Sequence, residues 1–331
     1  MTPDCGIKTS PQRIFVTGGA GFIGSHLCEA LLASGNSVFC YDDFCDFYAP
    51  QTKHDNLNSC KQNPGFEFEI GDIRNLEQLS KAVSTFEPDV FIHLAAMAGV
   101  RPSIQHPLYY EQVNITGTLN VLEACKAMQI DKLIFASSSS VYGNRTQVPF
   151  LETDLVNQPI SPYAATKLSG ELLCYNYFHL YQISTVCLRF FTVYGPRQRP
   201  DLAIHRFTDL ISKGQPLTVF GDGNSSRDYT YITDTISGIL KAIDYLNHHS
   251  CYEIINLGEE KTIPLMQLIS CLEEICEKKA KLNYLPTQEG DVGITFADIT
   301  KARMLLGYEP KTQFKEGLIS FYDWYKSHLS H

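Results

Sequence analysis

A chain of 331 residues is long enough for one large α/β domain with a smaller partner domain, and for a core that buries most of its apolar surface. Its formal net charge of −9 argues against a surface that binds nucleic acid or an anionic membrane. The eleven cysteines, an odd number without a C-x-x-C pair, suit neither a disulfide framework nor a zinc site, so we expect reduced thiols and no metal. The polar opening and the lack of a run of roughly 20 apolar residues predict a cytoplasmic protein without a signal peptide or membrane span.

The first half of the sequence alternates short runs of β-branched and aromatic residues with longer helical periods. This alternation is typical of a parallel sheet covered on both faces by helices, so we predict an α/β fold of the doubly wound Rossmann type. The predicted strands are 14–17, 38–42, 66–69, 90–94, 132–137 and 184–189. The clearest predicted helices are 22–33, 76–86, 113–128 and 164–181.

A glycine-rich turn joins the first predicted strand to the first predicted helix. Gly18, Gly21 and Gly24 let the backbone approach a pyrophosphate, whose charge then meets the amide groups and positive end of the helix. Asp42 ends the second strand about 20 residues later, where a carboxylate can bind the ribose hydroxyls of NAD and repel the extra phosphate of NADP. The spacing therefore predicts an NAD site.

Two further segments follow strands of the same predicted sheet. Asp72 comes after the third strand, and Leu94, Ala95 and Ala96 come after the fourth. Both segments are placed to contact the adenine and the middle of the cofactor. Capping of a loop by the aspartate, and close packing of the small residues, would explain them equally well.

Hydroxyl groups and a lysine follow the predicted fifth strand. Residues 137–140 are four serines, and Tyr163 precedes Lys167 by four residues at the start of a helix, so that both side chains share one face. A tyrosine with an ordinary pKa of about 10 becomes a base near neutral pH only when positive charge stabilises its phenolate, which the lysine and the nicotinamide ring of NAD can provide. Ser138 would hydrogen-bond the same substrate hydroxyl, and Asn114 would support Lys167 through a water or merely cap a helix.

After residue 195 the elements become shorter, with glycine turns at 214, 221, 223 and 258. We predict that residues 1–195 form the NAD-binding domain and that residues 196–331 form mainly a smaller α+β substrate domain. The sequence has no linker between them, which favours a cleft at the carboxyl ends of the strands.

Eight segments taken in order resemble the extended short-chain dehydrogenase/reductase family, and in particular its nucleotide-sugar epimerases and dehydratases. They are TGGAGFIG (17–24), YDDF (41–44), GDIRN (71–75), HLAA (93–96), SSSSVYG (137–143), SPYAATK (161–167), RFFTVYGP (189–196) and RDYTYITD (227–234).

The resemblance implies a tightly held NAD, with Tyr163 as catalytic base, Lys167 as its partner and Ser138 as the third member. It adds Phe22, Ile23, Asp43, Ile73 and Asn114 to the residues expected to contact the cofactor. It also implies a homodimer packed through the helices near 113–128 and 164–181.

Ser139 and Ser140 indicate which reaction to expect. Sugar 4,6-dehydratases of this family carry Asp-Glu at these positions, to protonate a leaving group and to abstract a proton. A serine hydroxyl cannot do that acid-base work near neutral pH, so we expect epimerisation at C4 of a UDP-sugar through a 4-keto intermediate rather than dehydration.

Three segments resemble the UDP-glucuronate 4-epimerases. They are Tyr41–Pro50, the loop Ala98–Arg101, and the strand with Thr192, where epimerases of neutral sugars usually have asparagine. The resemblance implies that Thr192 and Arg199 hold a uronate carboxylate, together with Ser139 and Ser140. It also implies that Arg101 and Arg227 bind other parts of the substrate, Arg227 being the match to the diphosphate-binding arginine.

The sequence differs from that pattern at two places. Arg197 and Gln198 precede Arg199 where these epimerases usually have Trp-Gly, and Gln288 stands where some relatives have a second phosphate-binding arginine. The alternatives are therefore a 4-epimerase of UDP-glucose or UDP-N-acetylglucosamine, and a non-catalytic NAD-binding scaffold on the same fold.

Overall fold

The computed structural model describes residues 11–286, 290 and 292–329, so that Gln288 lies outside the described residues. The strands are β1 (Arg13–Thr17), β2 (Ser37–Asp42), β3 (Phe66–Ile70), β4 (Val90–His93), β5 (Lys132–Ser138), β6 (Ser184–Phe190), β7 (Thr192–Tyr194), β8 (Pro216–Phe220), β9 (Ser226–Tyr231), β10 (Tyr252–Leu257), β11 (Thr262–Pro264) and β12 (Lys281–Leu285). The helices are α1 (Phe22–Ala33), α2 (Pro50–Asn56), α3 (Leu76–Phe86), α4 (Val100–Gln105), α5 (Pro107–Glu111), α6 (Gly117–Ala127), α7 (Pro162–Tyr181), α8 (Ala203–Ser212), α9 (Ile232–His248), α10 (Leu265–Cys276), α11 (Thr300–Leu306) and α12 (Phe314–Leu329).

The large sheet has seven parallel strands in the order β10-β6-β5-β4-β1-β2-β3. From β1 the strands are added first towards one edge of the sheet, as β2 and β3, and then towards the other edge, beginning with β4. All six predicted strands and the doubly wound fold are confirmed. The central strands β4 and β6 are buried along their whole length, as expected of a sheet with helices on both faces. The change of strand order opens a crevice at the carboxyl ends of β1 and β4.

The predicted helix 113–128 differs in one respect. The helical stretch begins earlier, with α5, and passes through a single π-helical turn, Gln112–Thr116, into α6 at Gly117. Such turns are frequent at functional sites. Here the buried Asn114 lies in the turn.

The core has a layer on each face of the sheet. On one face Phe15 stacks between Phe39 and Phe91, with ring centroids 4.9 Å apart in both pairs. On the other face α9 covers β5 and β6 with buried residues such as Ile239, and α1 covers β1 and β2. These layers fix the sheet, and with it the strand ends that carry the site.

The chain after residue 195 contributes to both parts of the molecule. β10 pairs with β6 in the large sheet, whereas β7, β9 and β11 form a small three-stranded sheet and β8 pairs with β12. A functional division at residue 195 stays a prediction. Helix α9 and strand β10 both follow residue 195, yet they pack on the large sheet or pair with it. Within the described part of the chain, no helix combines the length and the apolar character that crossing a bilayer requires.

Candidate active site

One cleft of about 490 Å³ lies at the carboxyl ends of the sheet strands. It is lined by residues of both halves of the chain, and by every predicted site residue except Asn114 and Arg101. Residues that are far apart in the sequence thus share one space, as the parallel topology requires.

The glycine turn between β1 and α1 is packed so closely against the protein backbone that two of its glycines leave no space for a side chain. A Cβ atom at Gly18 (φ +72°) would lie 2.6 Å from Ala95 N, and one at Gly24 would lie 2.2 Å from the carbonyl oxygen of Gly18. Gly21 precedes α1 without a side-chain cap on the helix. The first amide groups of α1 therefore face the cleft, which fits a pyrophosphate.

Asp42 is buried at the end of β2 and accepts hydrogen bonds from the backbone N–H groups of Ala20 (3.2 Å) and Phe44 (2.9 Å). Its carboxylate also pairs with Lys53 Nζ at 3.1 Å. Burial raises the pKa of Asp42, and the Lys53 charge acts against that rise. Asp42 is thus oriented by a lysine that also lines the cleft.

Sequence reasoning missed Lys53. It lies on α2, eleven positions after Asp42, and no local periodicity connects the two residues. The only sequence signal is Pro50 at the start of a short helix after the second strand. Only the folded chain shows that this helix returns to the carboxylate.

Asn114 is buried in the π-helical turn, and its support of Lys167 through a water stays a prediction. Its side-chain oxygen accepts from Met97 N (2.8 Å), and its amide donates to Met97 O (2.9 Å) and Thr166 Oγ1 (3.0 Å). Both amide hydrogens of the side chain are thus used, whereas its oxygen keeps a second lone pair for a further donor. Asn114 therefore fixes the loop after β4 and joins it to α7.

Helix α7 starts where its sequence requires. Ser161 accepts a hydrogen bond from Ala164 N at 3.1 Å, and Pro162 occupies the first turn. Tyr163 is therefore in the first turn of α7, and Lys167 follows one turn later. Both side chains face the cleft.

Lys167 is buried, with Nζ donating to the carbonyl oxygen of Ala136 at 2.7 Å and lying 5.3 Å above the ring of Phe135. Burial lowers the pKa of Lys167 to about 8. The carbonyl orients the ammonium group, so the lysine is fixed near the end of β5.

The serines after β5 are arranged around Ser138. Strand β5 extends one residue beyond the prediction, and Ser138 then caps a short 3₁₀ helix, Ser139–Tyr142. Its Oγ accepts from Ser140 N (3.2 Å) and from Ser140 Oγ (3.0 Å). With both bonds accepted, the hydroxyl proton of Ser138 is directed elsewhere, and Ser138 also hydrogen-bonds Tyr163.

The pKa of Tyr163 is raised by burial, and two groups act against that rise. They are the hydrogen bond with Ser138 and the positive charge of Arg199. The sequence had suggested Lys167 and the cofactor as the stabilising charges. The protein by itself supplies Arg199 from the opposite wall of the cleft.

Ser137 has a different role from its neighbours. It is buried and donates to Glu171 on α7, which forms a bidentate ion pair with Arg189 on β6 (Nε to Oε1 2.9 Å, Nη2 to Oε2 2.8 Å). Glu171 lies one helical turn after Lys167, as Lys167 does after Tyr163. The same i, i+4 spacing could have found this third residue of the face in the sequence.

The residues predicted to bind the substrate come mainly from β7, the loop after it, and β9. Thr192 and Arg199 line the cleft; Arg199 donates to Asp201 through Nε (2.9 Å) and Nη2 (2.7 Å), and lies 5.0 Å from the ring centre of Phe47. Arg227 lines the same wall, whereas Arg101 is exposed and lies 4.7 Å from the ring centre of Phe220.

Comparisons with known proteins agree with this architecture. A family model described as GDP-mannose 4,6 dehydratase matches residues 15–320. A UDP-glucuronate 4-epimerase from Thermodesulfobacterium geofontis is 44% identical over 315 residues, which are 95% of this chain and 96% of that protein.

Two crystal structures are similar over almost their whole length. A UDP-glucuronic acid 4-epimerase from Bacillus cereus, in complex with UDP-glucuronic acid and NAD, has a TM-score of 0.89 at 43% identity and covers 95% of this chain and 99% of its own. A UDP-glucose 4-epimerase from Thermotoga maritima, with UDP-glucose, has a TM-score of 0.87 at 33% identity and covers 96% and 99%. The chain therefore belongs to the GDP-mannose 4,6 dehydratase family of extended short-chain dehydrogenases/reductases.

Proposed function

We propose that this protein is an NAD-dependent UDP-glucuronate 4-epimerase, which interconverts UDP-glucuronate and UDP-galacturonate. The observation that carries the proposal is the composition of one cleft. The cleft holds a hydrogen-bonded Ser138–Tyr163 pair, the buried Lys167 and Arg199. Residues 139 and 140, which line the same cleft, are serines rather than carboxylates. Epimerase relatives similar over 95% of the chain support the same reading.

The glycine turn and Asp42 are proposed to hold the cofactor. The amide groups at the start of α1 would bind its pyrophosphate, and Asp42, oriented by Lys53, would accept from the ribose hydroxyls. Asp43, Asp72, Ile73 and residues 94–96 line the path between them. NAD, when bound, supplies the hydride acceptor for oxidation of the sugar and returns the hydride afterwards.

Tyr163 is proposed as the base that takes the proton of the C4 hydroxyl and returns it after the sugar has turned. Ser138 would hydrogen-bond that hydroxyl and share the proton with Tyr163. The Arg199 charge and the Ser138 hydrogen bond favour the phenolate, and Lys167 adds a positive charge whenever it is protonated. The chain thus holds the proton at one oxygen while the 4-keto intermediate changes its face.

Recognition of the acid group is proposed for Arg199, Thr192, Ser139 and Ser140. A charge-assisted hydrogen bond contributes about 1.5–3 kcal/mol, enough to favour a carboxylate over a primary alcohol. Holding the carboxylate also protects the product, since the intermediate is a β-keto acid that would lose carbon dioxide if the carboxylate turned perpendicular to the ketone. Arg227 is proposed for the diphosphate and Arg101 for the outer part of the nucleotide.

One observation favours a neutral sugar instead. Asp201 already accepts two hydrogen bonds from Arg199 and so reduces its positive field in the cleft. A UDP-glucose 4-epimerase is also similar at 33% identity. The second candidate is therefore a 4-epimerase of UDP-glucose or UDP-N-acetylglucosamine.

Substrate identity is tested by incubating the purified protein with UDP-glucuronate, UDP-glucose or UDP-N-acetylglucosamine, without added reductant. NMR of the anomeric and H4 protons follows each sugar, and heat-denatured protein is the control. We expect galacturonate signals from the acid alone. Conversion of a neutral sugar alone would establish the second candidate, and bound NAD without turnover of any sugar would indicate a scaffold.

We also propose that the protein is a homodimer through α6 and α7. These helices expose large apolar side chains, among them Leu172 (63% exposed), Tyr175 (53%) and Leu180 (55%) on α7. Solvent-exposed apolar side chains of this size on adjacent helices favour a second copy as their cover. Leu172→Glu should shift the mass measured by light scattering towards the monomer. Met304→Glu, at a 74% exposed position on α11, should leave the mass unchanged.

A further inference from the structure

We propose that Arg197 and Gln198 are positioning residues that lock the specificity arginine, Arg199, to the cofactor-binding helix α1. The proposal rests on the proposed function, because it concerns how that cleft recognises an acid sugar. It assigns a role to the two residues that differ from the Trp-Gly of the UDP-glucuronate 4-epimerases. We call Gly195–Asp201 the arginine loop.

Arg197 ties the arginine loop to α1. Its Nη2 donates to Glu29 Oε1 at 2.6 Å, and its Nη1 donates to Ser25 Oγ at 3.3 Å. His26, between those residues on α1, hydrogen-bonds the carbonyl oxygen of Pro196 at 3.0 Å. Three successive contacts thus fix one end of the loop to the helix whose N-terminus faces the pyrophosphate site.

The backbone of Arg197 needs these contacts. Its φ of +65° lies in the left-handed region, which residues other than glycine rarely adopt. This backbone conformation costs on the order of 1 kcal/mol. Such a conformation persists only where surrounding interactions determine it. Without its partners on α1, residue 197 would relax towards negative φ and turn the following residues.

Gln198 fixes the other side of the arginine loop. Its side chain is 2% exposed and donates through Nε2 to Val193 O at 3.1 Å, and its backbone N–H donates to Gly195 O at 3.1 Å. His205 Nδ1 on α8 donates to the carbonyl oxygen of Gln198 at 2.7 Å. The peptide that leads into Arg199 is therefore held by β7 and α8.

Arg199 follows these two fixed residues into the cleft. Asp201 holds one edge of its guanidinium group, and Phe47, from the segment after β2, lies against its face. A shift of the arginine loop would move this plane relative to Thr192 and Tyr163. Acid recognition and NAD binding therefore share α1 as a common support, and the Arg197–Glu29 ion pair is the link between them.

The test compares Glu29→Gln and Arg197→Gln with the wild type. We expect each to raise the KM for UDP-glucuronate about five- to tenfold, with kcat within twofold and bound NAD unchanged. The Kd for UDP, which lacks the sugar, should also stay unchanged, because Arg199 is proposed to contact the sugar acid and not the nucleotide. Since Glu29 is 30% exposed and Arg197 22%, these variants should fold.

Glu274→Gln is the matched control. Glu274 on α10 forms an exposed ion pair with Lys315 on α12, and its length of 2.6 Å equals that of the Arg197–Glu29 pair. The exchange Glu29→Arg with Arg197→Glu restores opposite charges and should recover part of the lost affinity. A KM within twofold of wild type in both single variants would overturn the proposal, as would a parallel rise in the Kd for UDP. If the wild type converts no UDP-glucuronate, the proposed function fails first, and the role in acid recognition falls with it.

Discussion

The buried ion pair of Glu171 and Arg189 offers the sharpest test of how the site is supported. We expect Glu171→Gln to destabilise the whole protein, because Arg189 would then keep a charge in a site where it is 1% exposed. Ser137 would also lose its charged acceptor. The pair joins α7 to β6 beneath the serines, so its loss should be felt in both stability and chemistry.

The magnitude follows from the burial of the pair. Breaking a fully buried ion pair by removing one partner costs about 3–5 kcal/mol, a large part of the roughly 5–15 kcal/mol that stabilises a typical domain. Removing both charges should cost much less, since no charge is then left unpaired. Glu171→Leu with Arg189→Met should therefore recover most of the stability lost in Glu171→Gln.

Urea unfolding followed by circular dichroism measures these free energies, and the control is Glu274→Gln on the surface. A loss below about 1 kcal/mol for Glu171→Gln would refute the reasoning. The chemistry gives an independent reading: the Glu171 charge raises the pKa of Lys167, whose burial lowers it to about 8. Without that charge, we expect the fall in activity from loss of the Lys167 proton to move to lower pH.

Three further predictions concern the chemistry and pH dependence. Tyr163→Phe should keep its NAD, measured by chromatography after denaturation, and lose on the order of 10²- to 10⁴-fold in kcat; near-normal turnover would mean a different base. Arg199→Met should raise the KM for UDP-glucuronate about ten- to hundredfold with UDP affinity unchanged, as calorimetry would show. Burial raises the pKa of Glu259 to about 7 from an ordinary 4.5, so the folded state binds more protons between those values and its stability falls as pH rises through them. The slope of unfolding free energy between pH 5 and 7 should be less negative in Glu259→Gln, and equal slopes would contradict this.

The parts of the structure that the sequence predicted well are those with a local cause. The predicted bounds of α1 and α3 agree with the structure to the residue. The glycine turn and the cap at Ser161 are local as well, since each needs only a few neighbours to determine it. The positions of the glycine turn and of Tyr163 could therefore be predicted from the sequence alone.

Contacts between distant segments were missed. Lys53 meets Asp42 only because α2 folds back over the end of β2, and Arg197 meets Glu29 across 168 positions. The contacts of the Asn114 amide with Met97 and Thr166 were also missed, because the sequence does not show the π-helical turn in which Asn114 lies. Side-chain pairing over such separations depends on packing that no periodicity encodes.

The four serines show how neighbouring identical residues acquire different roles from strand geometry. Ser137 still lies within the sheet and donates to the buried Glu171, whereas Ser138 ends the strand and acts on Tyr163 in the cleft. The strand ends there, and Ser139 and Ser140 begin a helical turn in which the hydroxyl of Ser140 supports Ser138. A carboxylate at position 140 would put negative charge against the Ser138 hydroxyl and oppose ionisation of Tyr163. The row of serines is therefore consistent with proton transfer at a single oxygen, which is the step that epimerisation needs. Elimination would need a further acid and base, which serine hydroxyls do not provide.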